Sequence, residues 1–212
     1  FLAEKAPDSL VVVSPHGTIY SDYFRLSPGA GATGSFRAFG APEVAFRVDY
    51  DQALVKAIGK AAADMGLPAG TEGRGEKELD HGIMVPLYFL HEAGLKRPVV
   101  RMGFSGLSFQ HHYRMGMAIR QAAETLGRSV ALIASRDLSH YLKADGPYGL
   151  RPEGKVYDEQ IMDIMGRAAF DELLRLPTDL CDSAGECGQR SFAILAGFFD
   201  GYRVDAKALS YE

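Results

Sequence analysis

The sequence predicts an α/β fold with a central mixed, largely parallel sheet flanked by helices. Three observations carry this. Several short strands are apolar throughout, as in LVVV at 10–13 and VALIA at 130–134, the pattern of strands buried on both faces. Segments with helical spacing alternate with them. The 212 residues fit one domain or one large α/β unit, so 1–212 is read as a single domain.

The elements follow in order. FLAEKAPDS reads as the end of a helix, and Ser9 to Ser14 as a buried strand. Residues 25–44 are rich in Gly, Pro, Ser and Ala and read as a long loop. Ala45 to Tyr50 alternates apolar and polar, which predicts a strand. Asp51 is placed to cap a helix that leaves at Gly66. A polar loop, TEGRGEKELDHG, leads into the apolar helix IMVPLYFLHEAG, with Pro86 near its first turn, where proline is tolerated. Pro98 to Phe104 is a strand, Ser108 opens a helix to about Gly127, and Ser129 to Ser135 is a strand. After RDLSHYL and a Gly/Pro-rich loop, helices are predicted from about Tyr157 to Leu176 and from Gly188 to Phe199. An alternating strand from Arg203 to Tyr211 closes the chain.

Composition excludes some functions. The chain is 47% hydrophobic and 24% charged with a formal net charge of −4. With no basic run or global basic field, no nucleic-acid partner is expected. No apolar stretch approaches the ~18 residues that span a bilayer, so no membrane partner is expected either. The two cysteines, Cys181 and Cys187, form no C-x-x-C pair and no disulfide framework, which makes a reducing cytoplasm the expected compartment.

Reactive side chains gather at element boundaries. His16 follows one apolar strand, and Asp137 to His140 follow another; ligands of open α/β sheets lie outside the carboxyl ends of strands. Leu79-Asp80-His81-Gly82 and Gly185-Glu186-Cys187-Gly188 each open an apolar helix, where the field is partly positive. Imidazole with carboxylate suits Zn, Fe or Mn, and two histidines with one carboxylate form the facial triad of non-haem Fe(II) oxygenases. Each residue also has an ordinary structural reading. His16 and His140 read equally as hydrogen-bonded strand-end residues, Glu186 as a helix-start carboxylate, and Cys187 as a small buried hydrophobe. His91, His111 and His112 sit within helices and are left out of the site.

The motifs SPHG, ELDHGIMVPLYFL, RDLSHYLKADGPYG and ECGQRSFAILAGFFDG occur in this order. Together they resemble the LigB-like class III extradiol ring-cleavage dioxygenase superfamily, Memo-like members included. More closely, the chain resembles the N-terminal domain of AmmeMemoRadiSam system protein A. The resemblance implies a phosphorylase/hydrolase-type α/β sandwich and Fe(II), with Zn as the alternative metal. It implies His16 and Glu186 as metal ligands, His140 as acid/base, and His81 near substrate and oxygen. Cys187 competes with Glu186, since Memo-like relatives carry a cysteine near that position. A further histidine ligand is expected in a Pro-His-Pro segment upstream of Phe1, and a closing glycine-rich strand is expected beyond the end. The sequence is therefore expected to be a piece clipped at both ends. Arg136 departs from the pattern by standing where a small residue, often Gly, is usual, and Gln189 stands where a histidine is common.

The implied activity is extradiol cleavage of a small catechol-like aromatic, with His140 taking a proton from a substrate hydroxyl. The aromatics Tyr20, Tyr23 and Phe24 serve either as a wall for a planar substrate or as loop packing. A reading from another class is a non-catalytic metal- or ligand-binding module that works with a C-terminal domain and a radical-SAM partner protein. A homo-oligomer is compatible with either. A zinc hydrolase lacks a separate carboxylate base with motif support.

Overall fold

The computed structural model describes residues 2–74 and 78–211. In chain order the strands are β1 (Ser9–Val13), β2 (Phe24–Arg25), β3 (Gly31–Phe36), β4 (Ala41–Asp49), β5 (Ala69–Gly70), β6 (Val99–Met102) and β7 (Val130–Ala134). The helices are α1 (Leu2–Lys5), α2 (Gln52–Asp64), α3 (His81–Glu92), α4 (Phe109–Thr125), α5 (Pro152–Gly166), α6 (Phe170–Leu173), α7 (Thr178–Ala184) and α8 (Gln189–Phe198).

The apolar run at 10–13 becomes β1, and every residue of it is buried. It is the middle of a parallel sheet in the order β6-β1-β7, with Val11 opposite both Val100 and Leu132. Side chains alternate across a strand. Val11 and Val13 therefore join a core with residues of α2, α4 and α8, while Leu10 and Val12 join another with α3 and the β3–β4 pair. A third cluster ties α5, α6 and α7 to α8. The expected α/β architecture, a mixed, largely parallel central sheet flanked by helices, is observed with the three central strands all parallel. Asp51 caps α2 as expected, its carboxylate accepting from Leu54 N at 3.0 Å.

Other expectations need correction. The 25–44 segment is not one loop: β2 pairs with β5, and β3 pairs with β4 as an antiparallel hairpin. Its glycines hid the strands because a glycine-rich strand lacks the side chains that signal one. The helix expected at 157–176 is two helices, α5 and α6. It starts earlier, at Pro152 in the first turn, and breaks after Gly166, where Ala168 adopts φ 54°. Residues 203–211 form no strand: among the described residues no strand pairs with them, and an unpaired alternating segment gains no ladder bonds. Pro86 lies in the second turn of α3, since the helix already begins at His81. Of the polar loop at 71–82, residues 75–77 lie outside the described residues, as does Phe1 of the N-terminal helix end.

Two contacts set the position of the last helix. Gly116 of α4 and Gly197 of α8 meet at the crossing of the two helices. A Cβ at 116 would fall on the Ile194 carbonyl oxygen, and one at 197 on the Tyr113 carbonyl oxygen.

His112 is a core histidine. It is fully buried, edge-on to Phe24 (4.8 Å) and Phe104 (6.0 Å). Its Nδ1 meets the Ser108 carbonyl oxygen at 2.9 Å, and its Nε2 faces Ser105 N–H at 3.4 Å. Those partners require a neutral ring with the proton on Nδ1. Burial accordingly pushes its pKa from 6.5 down to about 4. The folded state binds fewer protons than the unfolded one between these values, so stability falls as pH drops from 6.5 towards 4, by up to about 3 kcal/mol in total. Urea unfolding between pH 6.5 and 5 should show a loss of roughly 1 kcal/mol per unit attributable to this group. In His112→Asn that part of the slope should vanish; an unchanged slope would refute the assignment.

Candidate active site

Because β1, β6 and β7 are parallel, their carboxyl ends open on the same side of the sheet. The segments leaving them carry His16, Phe104 and the 136–140 stretch.

The first group forms where β1 ends. Ser14 Oγ donates to Asp80 Oδ1 at 2.5 Å, and the same carboxylate oxygen accepts from Ile83 N at 3.2 Å as the cap of α3. His16 N donates back to Ser14 Oγ at 3.2 Å. These bonds bring the His16 ring against the ring of His81, the first residue of α3, with centroids 3.8 Å apart. The approach requires glycine at 82, where a Cβ would fall on Ser14 Oγ and lie 3.0 Å from His16 Cδ2. Partial burial, and then the charge of His81, hold the His16 pKa below its usual value.

The second group forms where β7 ends. Ser139 N donates to Asp158 Oδ1 at 2.9 Å, and Ser139 Oγ donates to the Ala184 carbonyl at 2.6 Å. An antiparallel bridge joins Ser139 to Glu186. This fixes His140, whose Nδ1 sits 2.5 Å from the Gly185 carbonyl oxygen. The carbonyl can only accept, so Nδ1 carries a proton, and in the neutral ring the lone pair is on Nε2. Nε2 faces Cys187 Sγ at 3.8 Å and Asp137 Oδ2 at 3.6 Å. Burial raises the Cys187 thiol pKa, and the nearby Arg136 guanidinium opposes that shift.

Glu186 faces another way. Its Oε2 accepts from Gln189 N at 2.6 Å, at the start of α8, and from Tyr157 OH at 3.3 Å. Burial, followed by the charge of Glu186, drives the Tyr157 pKa upward. Gln189 is itself buried, donating to the Leu173 carbonyl at 2.6 Å. The structure thus brings His16 and His81 together, and His140 and Cys187 together. Glu186 is next to Cys187 in the chain, but its carboxylate is directed to the helix start.

Arg136 lies between the groups. Its guanidinium lies over Phe104 with Cζ 4.4 Å from the ring centroid. Its charge acts on His16 on one side and on Cys187 on the other. Burial lowers its pKa to about 10, so it stays cationic at neutral pH.

The donors fit a divalent transition metal. One ligand atom each from Asp137, His140 and Cys187 lie within 4.8 Å of one another, and an imidazole nitrogen, a thiolate and a carboxylate oxygen suit Fe(II) or Zn. Two of these residues carry little signal in the sequence: an aspartate three residues before His140 equally caps a turn, and Cys187 reads as a small hydrophobe.

The family model described as the catalytic LigB subunit of aromatic ring-opening dioxygenase matches residues 1–212. Protein CA_C1420 of Clostridium acetobutylicum is 35% identical over 218 residues, covering 100% of this chain and 47% of that protein. The 2,3-dihydroxyphenylpropionate/2,3-dihydroxicinnamic acid 1,2-dioxygenase of Escherichia coli is 29% identical over 149 residues, covering 66% of this chain and 45% of the relative. The chain thus spans about half the length of the curated relatives it matches. Among solved structures, uncharacterized protein JW3007 from Escherichia coli K12 superposes with a TM-score of 0.58 at 17% identity, covering 94% of this chain and 80% of that one. That likeness concerns the fold.

Proposed function

Since the chain belongs to the family of the catalytic LigB subunit of aromatic ring-opening dioxygenases, we propose that it is the catalytic part of a non-haem Fe(II) extradiol-type dioxygenase acting on a small catechol-like aromatic. The observation that carries this reading is the state of His140. Its Nδ1 is committed to the Gly185 carbonyl, which leaves Nε2, beside Cys187 and Asp137, as the nitrogen that can take a proton. A fixed imidazole with a free lone pair is what removal of a proton from a catechol hydroxyl needs. A relative named as a dioxygenase of dihydroxylated phenylpropionate supports the substrate class.

In this reading His16 and Glu186 would hold the metal, which requires the Glu186 carboxylate to turn away from Gln189 N and Tyr157 OH; Cys187, already facing His140 and Asp137, is the competing ligand. Bound Fe(II) supplies Lewis acidity towards the diol and electrons for activating dioxygen. The protein's own part is positional. Ser139 and Gly185 hold His140 in one tautomer, so it takes the substrate proton at Nε2. His81, packed against His16, offers a second imidazole to return a proton to the oxygen-bearing product.

A second reading has its own observation. Cys187 Sγ, rather than the Glu186 carboxylate, faces His140 and Asp137. A thiolate-containing set suits Zn, and this reading makes the chain a module that turns nothing over, a Memo-like partner of a further domain and a radical-SAM protein.

Metal analysis after anaerobic purification separates the two readings. On the first, wild type carries about one iron per chain, and His16→Ala and Glu186→Ala lose it while Cys187→Ala keeps it. On the second, Cys187→Ala loses the metal and Glu186→Ala keeps it. Full metal in all three variants would remove both ligand assignments.

A further inference from the structure

The register of two neighbouring strands sets a pair of arginines side by side. Leu26, just after β2, bridges Met102 at the end of β6 in the antiparallel sense, and Ser27 Oγ accepts from Arg101 N at 2.8 Å. Leu26 and Met102 join the core shared with α2 and α4. Side chains alternate along a strand, so Arg25 and Arg101 stand on the opposite face as diagonal neighbours. That is the face of Tyr50 and the start of α3.

Both arginines line one cavity of about 30 Å³, with Ser14, Gly17, Thr18 and Asp80 among its other walls. It has room for water or a small ion. Arg25 Nε is buried and meets no acceptor, and the Tyr50 hydroxyl, which feels the charge of both arginines, is likewise buried without a partner. Buried polar groups of this kind are costly unless something supplies their hydrogen bonds. Arg101 is already positioned: Nη1 donates to the Glu78 carbonyl at 2.7 Å, and its guanidinium lies over the Tyr50 ring, Cζ 5.9 Å from the centroid. Asp80 is the one carboxylate among the described residues of the lining, and its Oδ1 accepts from Ser14 Oγ and Ile83 N. Two cations against one carboxylate leave these walls positive.

We propose that this cavity is a binding site for a small inorganic oxyanion, with Arg25 as its main ligand and Arg101 beside it. The walls come from the exit of β1, from β2, from the start of α3 and from β6. A bound oxyanion therefore fastens together the segments that present His16 and His81. The site is independent of the ring-cleavage reading and of any metal.

Isothermal titration of the protein with sodium sulfate, against a constant chloride background, tests it. Wild type should bind about one sulfate per chain. Arg25→Met should weaken that binding about tenfold or more, Arg25→Lys should keep part of it, and Arg175→Met, at an exposed ion pair, should bind as wild type does. Sulfate should also raise the melting temperature of wild type more than that of Arg25→Met, whereas its general exclusion from protein surfaces acts on both alike. Crystals of wild type soaked in selenate give a reading that needs no variant to fold: the anomalous peak should lie beside Arg25. No saturable sulfate binding overturns the proposal, as does binding unchanged in Arg25→Met or lost equally in Arg175→Met. A selenate peak elsewhere overturns it too, and a peak without binding in solution marks an adventitious ion only and does the same.

Discussion

Replacing His140 with alanine is expected to lower ring-opening turnover by about 10²- to 10⁴-fold while iron remains bound. The expectation follows from how the ring is held. Gly185 O fixes Nδ1, so the working nitrogen is Nε2, and no other imidazole among the described residues shares its position beside Asp137 and Cys187. Oxygen consumption with a catechol and iron content, measured on the same preparation, check it. Loss of iron together with activity would make His140 a ligand, as the Asp137–His140–Cys187 cluster allows, and would move the acid/base role elsewhere. Unchanged turnover with bound iron would take His140 out of the reaction.

Gly197→Ala is expected to cost about 3 kcal/mol or more. Overpacking against flexible side chains costs about 1–3 kcal/mol, but here the added methyl meets the Tyr113 carbonyl and neighbouring backbone atoms, which cannot swing aside. The two helices must separate, and α8 carries the Glu186–Cys187 corner at its start. Weaker metal retention should therefore accompany the loss of stability. Gly59→Ala is the control. That glycine lies within α2, where a Cβ meets only Ala69 O at 3.9 Å, so alanine should be neutral or stabilising by up to about 1 kcal/mol. Urea unfolding of the two variants should give opposite signs; a Gly197→Ala protein as stable as wild type would mean that the helix crossing is looser than described.

Much of the fold was legible because apolar strands and helices with capped starts carry strong local patterns. SLVVV, VALIA and Asp51 did what their chemistry demands. The β3–β4 hairpin was not legible, since GATGS carries neither bulk nor β-branching in quantity, and its order comes from packing on α3. The 203–211 segment erred the other way: alternation is a local property, whereas a strand needs a partner. At the site, the boundary positions of His16, His81 and His140 were readable. The direction of Glu186 was not, because the α8 start and Tyr157 decide it across a turn. Arg136 was visible as an oddity, but its place over Phe104 emerges only when the ends of three strands are placed around it.

The parallel sheet also fixes when the site comes into being. Ser9 pairs with Val130, and Val11 with Leu132, so the central and edge strands are brought together from opposite halves of the chain. Such distant pairings are slow to form, since loop closure precedes any reward. His16 and His81 can meet once the first half has condensed, but Arg136 and His140 stay apart from them until β7 docks, and Cys187 until α8 seats on α4. The centre therefore depends on contacts between distant parts of the chain. On the proposed metal-binding reading, capture of the ion depends on those same long-range contacts.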